Sequence, residues 1–152
     1  MSRQYEIRRT ISEDPGFRLL ISHLDNELWN ELHEDQATYD QFNQVKDIKT
    51  AIVVYVHGKP AAIGCFKKFN DNTVEIKRMF VHSEHRGQGI AQQVLHELEK
   101  WATELKYNTF ILETGKRQPE AIRLYEKAGY IRIPNYGQYQ SIENSICMKK
   151  RQ

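Results

Sequence analysis

The chain has 152 residues, 28% of them charged and 39% hydrophobic, with a formal net charge of +2. That length suits one domain with a real core spanning 1–152, and the composition excludes both a disordered chain and a membrane bundle. The small, evenly spread charge argues against nucleic acid, and no segment reaches the ~18 apolar residues of a bilayer span.

Residues Met1 to Glu6 lack the apolar core of a secretion signal. The two cysteines, Cys65 and Cys147, form no CxxC and fall in strand-like runs, so they read as free, buried and cytoplasmic. His33-Glu34-Asp35 has no partner at helical spacing to complete a metal site; it reads as a solvated acidic face, and no metal is expected.

In chain order, Gln4 to Ile11 alternate as a first strand. Asp14-Pro15-Gly16 breaks the chain, and Phe17, Leu20, Ile21 and Leu24 then recur at helical spacing. A second helix is expected from Asn26 to Phe42, with Leu28, Trp29 and Leu32 as its stripe. From Thr50 the pattern turns to strands: β-branched Ala51–Val56, a turn at His57 to Pro60, a return over Ala61–Phe69, and Thr73–Val81 after a turn at Asn70 to Asn72. The segment Gln88–Lys106 carries the clearest amphipathic stripe, through Ile90, Val94, Leu95, Leu98, Trp101, Ala102 and Leu105. Asn108–Thr114 is a short apolar strand, and Pro119 and Glu120 open a helix that ends at Ala128-Gly129. Strands at Tyr130–Ile133 and Glu143–Lys149 flank a tyrosine-rich loop, Asn135–Gln140. This order predicts a mixed α/β fold: a mostly antiparallel mixed sheet of six to seven strands, with the later helices as crossovers and helices on both faces.

The stretch Glu84-His85-Arg86-Gly87-Gln88-Gly89-Ile90-Ala91 lies between a strand and the strongest helix. Its glycines allow left-handed backbone and close approach of a ligand. The first N–H groups of a helix lack internal partners and carry the positive end of its dipole, which together suits a diphosphate. A glycine-rich helix entry with no ligand is the other reading. A P-loop is excluded, because Ile90-Ala91 follow the second glycine instead of Lys-Ser/Thr. A dinucleotide fingerprint fails too, because Gln92 stands where its third glycine belongs.

The pattern Arg-x-x-Gly-x-Ala, met by Arg86, Gly89 and Ala91 after the strand Glu75–Val81, resembles the acetyl-CoA motif of the GNAT superfamily of N-acetyltransferases. A second block agrees: Ala121, Leu124, Tyr125, Lys127, Gly129 and Tyr130 resemble that superfamily's A-x-x-L-Y-x-K-x-G-F/Y segment. The resemblance covers roughly Thr50 to Lys149. It departs at Gln118, where the family often has a cofactor-binding asparagine; glutamine offers similar bonds on a longer arm.

The resemblance implies a GNAT-like fold and transfer of the acetyl group of acetyl-CoA to a primary amine by direct attack. The diphosphate would sit on the N–H groups of Gly87, Gln88, Gly89, Ile90 and Ala91 beside Arg86. The pantetheine arm would pair with the backbone of Phe80 and Val81, like an added strand. The apolar face of this strand falls on Val74 and Ile76 but then on Met79 and Val81, so a bulge near Arg78 is expected, aiming an N–H at the acetyl carbonyl. An amphipathic edge strand is the plainer reading. Glu75 matches the family's general base, acting through water, with Glu113 as the alternative; Tyr125 matches its general acid.

The acceptor falls to the weakly patterned regions, the helices at 17–42 and the loop Tyr136–Tyr139. A small-molecule amine is preferred over a protein amine, because the chain has no spare segment for a peptide groove. Neither a nucleic-acid nor a membrane partner is expected; a homodimer is compatible with the sequence. The rival from another class is a non-catalytic CoA-binding sensor or partner module, which would not require both Glu75 and Tyr125.

Overall fold

Seven strands form one sheet in the computed structural model, which describes residues 5–31 and 46–152. They are β1 (Tyr5–Thr10), β2 (Ala51–Val56), β3 (Lys59–Asn70), β4 (Thr73–Val81), β5 (Thr109–Gly115), β6 (Ile131–Ile133) and β7 (Ser145–Arg151), in the spatial order β1-β2-β3-β4-β5-β7-β6. The first four pair antiparallel, β4 and β5 run parallel, and β7 pairs antiparallel with both β5 and β6. The described helices are α1 (Pro15–Glu31), α2 (Ile90–Glu104) and α3 (Pro119–Lys127). The mixed α/β fold expected from the sequence is therefore the fold observed.

The even positions of β2, Ile52, Val54 and Val56, bury on the side covered by α2, in one core cluster with Val94, Leu95 and Leu98 that extends to Ile122 and Tyr125 of α3. Its odd positions, Ala51 and Val53, bury against Phe17 and Leu20 of α1. Covered on both faces, this strand has no need of polar alternation, hence the unbroken run AIVVYV. Each large aliphatic side chain fully buried this way contributes about 1.5–3 kcal/mol.

The Asp14-Pro15-Gly16 break is the N-terminal cap of α1. The Asp14 carboxylate accepts from the N–H groups of Gly16 (2.8 Å) and Phe17 (3.3 Å). These bonds and those from Thr10 and Tyr55 hold its pKa below the ordinary value against burial, the largest single influence, which raises it. The expected boundary before Asn26 is absent, since α1 runs unbroken to Glu31. Leu24 and Leu28 continue the stripe begun by Phe17 and Leu20, and no glycine, proline or cap interrupts it. The remainder of the expected second helix, 32–42, lies outside the described residues.

Strand β4 carries the expected bulge. Cys65 pairs with Lys77 and Ile63 with Phe80, so three steps on β4 face two on β3. Arg78 absorbs the extra residue at a left-handed φ of 58°. Opposite it, Gly64 is required: a Cβ there would lie 2.8 Å from both Met79 Sδ and Val94 Cγ1. Pairing of β4 with β5 ends at Ile76 and Leu112, and beyond it the two strands part.

Two features were not expected. Single 3-10 turns form at Ser83–His85 and Gly137–Tyr139. As the sequence predicts, both cysteines are free and buried, and burial pushes the Cys65 thiol up to about 12.

Candidate active site

The parted strands open a slot through the sheet, and hollows meet it from both faces. On the α2/α3 side lies a groove of about 440 Å³, lined by Met79, Phe80, Val81, Arg86, Gly87, Gly89, Ile90 and Ala91 and by α3. On the α1 side lies a smaller hollow of about 110 Å³, lined by Leu24 and Leu28 of α1, Lys77 and Arg78 of β4, Glu113 and Thr114 of β5, Arg117, Gln118 and Asn144. Met79 and Tyr125 line both.

The groove has the form of an anion cradle. Gly87 and Gly89 sit at φ +77° and +78°, and a Cβ on either would meet nothing within 4 Å. Gly89 is the left-handed cap of α2, and the Gln93 N–H bonds its carbonyl at 3.3 Å. The N–H groups of Ile90, Ala91 and Gln92 precede that bond and face the helix entrance. His85, Arg86, Arg123 and Lys127 line the same groove against one carboxylate, Glu120. Arg86 and Lys127 belong to the two motifs, though only Arg86 was read as a binding residue; the fold gathers His85 and Arg123 beside them.

Arg86 spans the slot. Its Nε donates to the Val81 carbonyl at 2.8 Å and its terminal nitrogen pairs with Glu27 of α1 at 2.8 Å. The His82 N–H bonds the Ala61 carbonyl on the β3 side. Strand alternation therefore turns the backbone of Met79 and Val81 toward the open edge. Phe80 and Val81, both expected to offer backbone there, stand in register with Ile63 and Ala62 of β3 and both line the groove; by the same alternation the backbone of Phe80 turns toward β3. Gln118 caps α3 and lines the smaller hollow, its Oε1 accepting from Thr114 at 3.5 Å.

Tyr125 is buried on α3. Burial, followed by the nearby Glu113, pushes its phenol well above the ordinary value, so it stays protonated. Glu113 faces the smaller hollow and accepts from Ser145 Oγ at 2.6 Å. Burial outweighs that bond and lifts its carboxyl to about 7.

Glu75, expected as the base, lines neither of these hollows. It is buried, accepts from the Tyr136 hydroxyl at 2.7 Å, and has Lys77 Nζ at 3.8 Å and Lys67 Nζ at 3.9 Å. The tyrosine loop thus closes over Glu75, and burial and that carboxylate push the Tyr136 phenol far up. Lys77, Arg78, Arg117 and Asn144 were not read as site residues; only the phase slip at Lys77-Arg78 pointed near them.

A groove with the form of an anion cradle at a helix entrance, joined through parted strands to a second hollow, suits an enzyme class with an extended anionic co-substrate and a separate acceptor. Comparison with known proteins narrows the class. The profile of the GNAT acetyltransferase family matches residues 17–130, and the chain belongs to that family, whose members draw their acetyl group from acetyl-CoA. Over 117 residues it is 29% identical to an N-acetylaspartate synthetase of Danio rerio, covering 76% of this chain and 40% of that protein. The chain thus spans less than half the length of that relative. A solved chain from Klebsiella pneumoniae described as an acyl-CoA N-acyltransferase superposes with a TM-score of 0.78 at 27% identity, covering 97% of both chains. An N-acetyltransferase of Thermoplasma acidophilum solved with coenzyme A shares the fold, with a TM-score of 0.73, 16% identity and coverage of 98% of this chain and 99% of its own.

Proposed function

We propose that this chain transfers the acetyl group of acetyl-CoA to the primary amine of a small molecule, by direct attack at the junction of the two hollows. The observation that carries this reading is that Met79 of the bulged strand and Tyr125 line both hollows. A thioester entering from the groove and an amine entering from the α1 side meet there.

The residues divide the work as follows. Backbone N–H groups of Gly87 to Ala91, with Arg86 beside them, hold the diphosphate. The open edge at Val81 pairs with the amide-bearing arm, and an N–H at the bulge polarises the thioester carbonyl. Glu113 takes a proton from the ammonium; of the two carboxylates it is the one in the hollow, and a value of about 7 suits a base at neutral pH. The amine nitrogen bonds to the carbonyl carbon, the C–S bond breaks, the thiolate takes the proton of the Tyr125 hydroxyl, and the second proton shed by the nitrogen as it becomes an amide restores the phenol. Glu75 acts through Glu113, whose carboxyl it raises.

The test is thiol release from acetyl-CoA across amino acids, polyamines, aminoglycosides and peptides, in wild type and Tyr125→Phe. The variant is expected to lose about 10²–10⁴-fold in turnover on the best acceptor while binding acetyl-CoA as before. Unchanged turnover would remove Tyr125 from the mechanism. Acetyl-CoA binding without thiol release on any acceptor would favour the non-catalytic module.

A further inference from the structure

We infer that the acceptor carries a carboxylate beside its amine, received by Arg78 and Asn144 in the smaller hollow; this rests on the acetyl-transfer reading above and names its substrate class.

Among the described residues, two buried side-chain polar atoms have no hydrogen-bond partner, Arg78 Nε and Asn144 Nδ2. Both are donors, and both residues line the smaller hollow. A buried donor left without an acceptor costs free energy, more so when it belongs to a charged group. Two such donors on the walls of one hollow, with no orphaned acceptor beside them, describe a binding site for an oxygen-rich, acceptor-only group. A carboxylate is that group.

Arg78 is a built feature. It is 8% exposed, sits at a left-handed φ of 58°, and is anchored through its terminal nitrogen to Asp25 of α1. A non-glycine residue in that conformation within a buried strand stores strain, the kind found at ligand clamps. The Asp25 contact occupies one face of the guanidinium and leaves Nε to another partner. Asn144 is fixed by its own backbone, its carbonyl accepting from the Lys116 N–H at 2.9 Å.

The charge of the lining points the same way. Lys77, Arg78 and Arg117 face Glu113 as the single lining carboxylate. Lys77 is engaged by Glu75 at 3.8 Å and by the Tyr139 hydroxyl at 3.4 Å. Glu113 is partly protonated near neutral pH, since burial lifts it to about 7. With Arg78 anchored to Asp25 and Lys77 to Glu75, the wall presents both signs and suits a zwitterion, with its ammonium toward Glu113 and its carboxylate toward Arg78 and Asn144. A volume of about 110 Å³ suits a small acceptor of that kind.

The experiment compares glycine, L-alanine, L-aspartate, L-methionine and L-phenylalanine with the amide of each, by thiol release at saturating acetyl-CoA. An amide neighbour makes the amine less basic, so the amides would react faster if the carboxylate did nothing. The acids are expected to exceed their amides by about 10- to 100-fold in kcat/KM, the scale of a charge-assisted pair. Arg78→Gln and Asn144→Ala should each shrink that ratio by raising KM for the acids, with acetyl-CoA affinity held. The Asn144 variant keeps the test decisive if the Arg78 variant does not fold. Amides or polyamines used as well as the acids would overturn the inference and leave acetyl transfer standing. If acetyl-CoA binds and no amine releases thiol, the transfer reading falls. Titration of each acid and its amide into the CoA-loaded protein then decides: acid-selective binding lost in Asn144→Ala supports the carboxylate site, and equal or absent binding overturns it.

Discussion

Glu75 and Glu113 show how neighbouring strands give one side-chain type two environments. Glu75 is ringed by donors from Tyr136, Lys77 and Lys67. Glu113 has the Ser145 hydroxyl and the open hollow. If Glu113 is the base, turnover rises with pH through about 7 as its carboxyl loses its proton. Glu113→Gln should be nearly inactive and lack that limb. Glu75→Gln should keep the limb but move it to lower pH, because the Glu75 charge raises Glu113; pH profiles of kcat for the three proteins check this. Stability carries the opposite sign. A carboxyl raised from 4.5 to about 7 in the folded protein favours folding below pH 4.5, and that contribution is lost as pH climbs through 7. Removing the charge should therefore make Glu113→Gln more stable than wild type at pH 8, by on the order of 2–3 kcal/mol, measurable by urea unfolding. The sequence places both carboxylates on strands, but alternation cannot say which of them faces an opening, since the opening comes from the parting of β4 and β5.

At the scale of elements, the bulge in β4 organises the site. Its phase slip was legible because Val74 and Ile76 fall on even positions and Met79 and Val81 on odd ones. The glycine that accommodates it was not, because Gly64 lies on another strand and its need appears only where α2 crosses. Gly64→Ala would press a methyl group within 2.8 Å of Met79 Sδ and Val94 Cγ1. Such overpacking should cost about 1–3 kcal/mol in urea unfolding and weaken acetyl-CoA binding by displacing Met79. The second interaction tying elements together is Glu99 of α2, which accepts from the Tyr130 hydroxyl at 2.7 Å and Lys150 Nζ at 2.9 Å. Tyr130→Phe should lower stability by about 2 kcal/mol, the scale of a hydrogen bond to a charged group, without changing turnover. The boundary expected inside α1 failed for a simple reason: polar Asp25 and Asn26 lie off its buried stripe and do not end it. Likewise the reach of Tyr136 to Glu75, 61 positions away, has no local signal in the sequence.

For the molecule as a whole, the strands along the chain, the two covered faces and the glycine cradle were legible, because each follows from local periodicity or from glycines at a strand-to-helix turn; the spatial order, with β7 between β5 and β6, was not. The acceptor hollow was not. It takes one wall from each of α1, β4, β5 and the segment before β7, and no contiguous motif encodes that meeting. The central claim is that the groove at the entrance to α2 receives the diphosphate of acetyl-CoA. Calorimetric titration of acetyl-CoA into wild type and Gly89→Asp tests it most directly. At φ +78° and with open space around it, position 89 would carry the new carboxylate into the cradle. The expected result is one site in wild type and at least about tenfold weaker binding in the variant, which loses a favourable anion site to like-charge repulsion. Equal affinity in the two proteins, or no binding to wild type, would contradict the account.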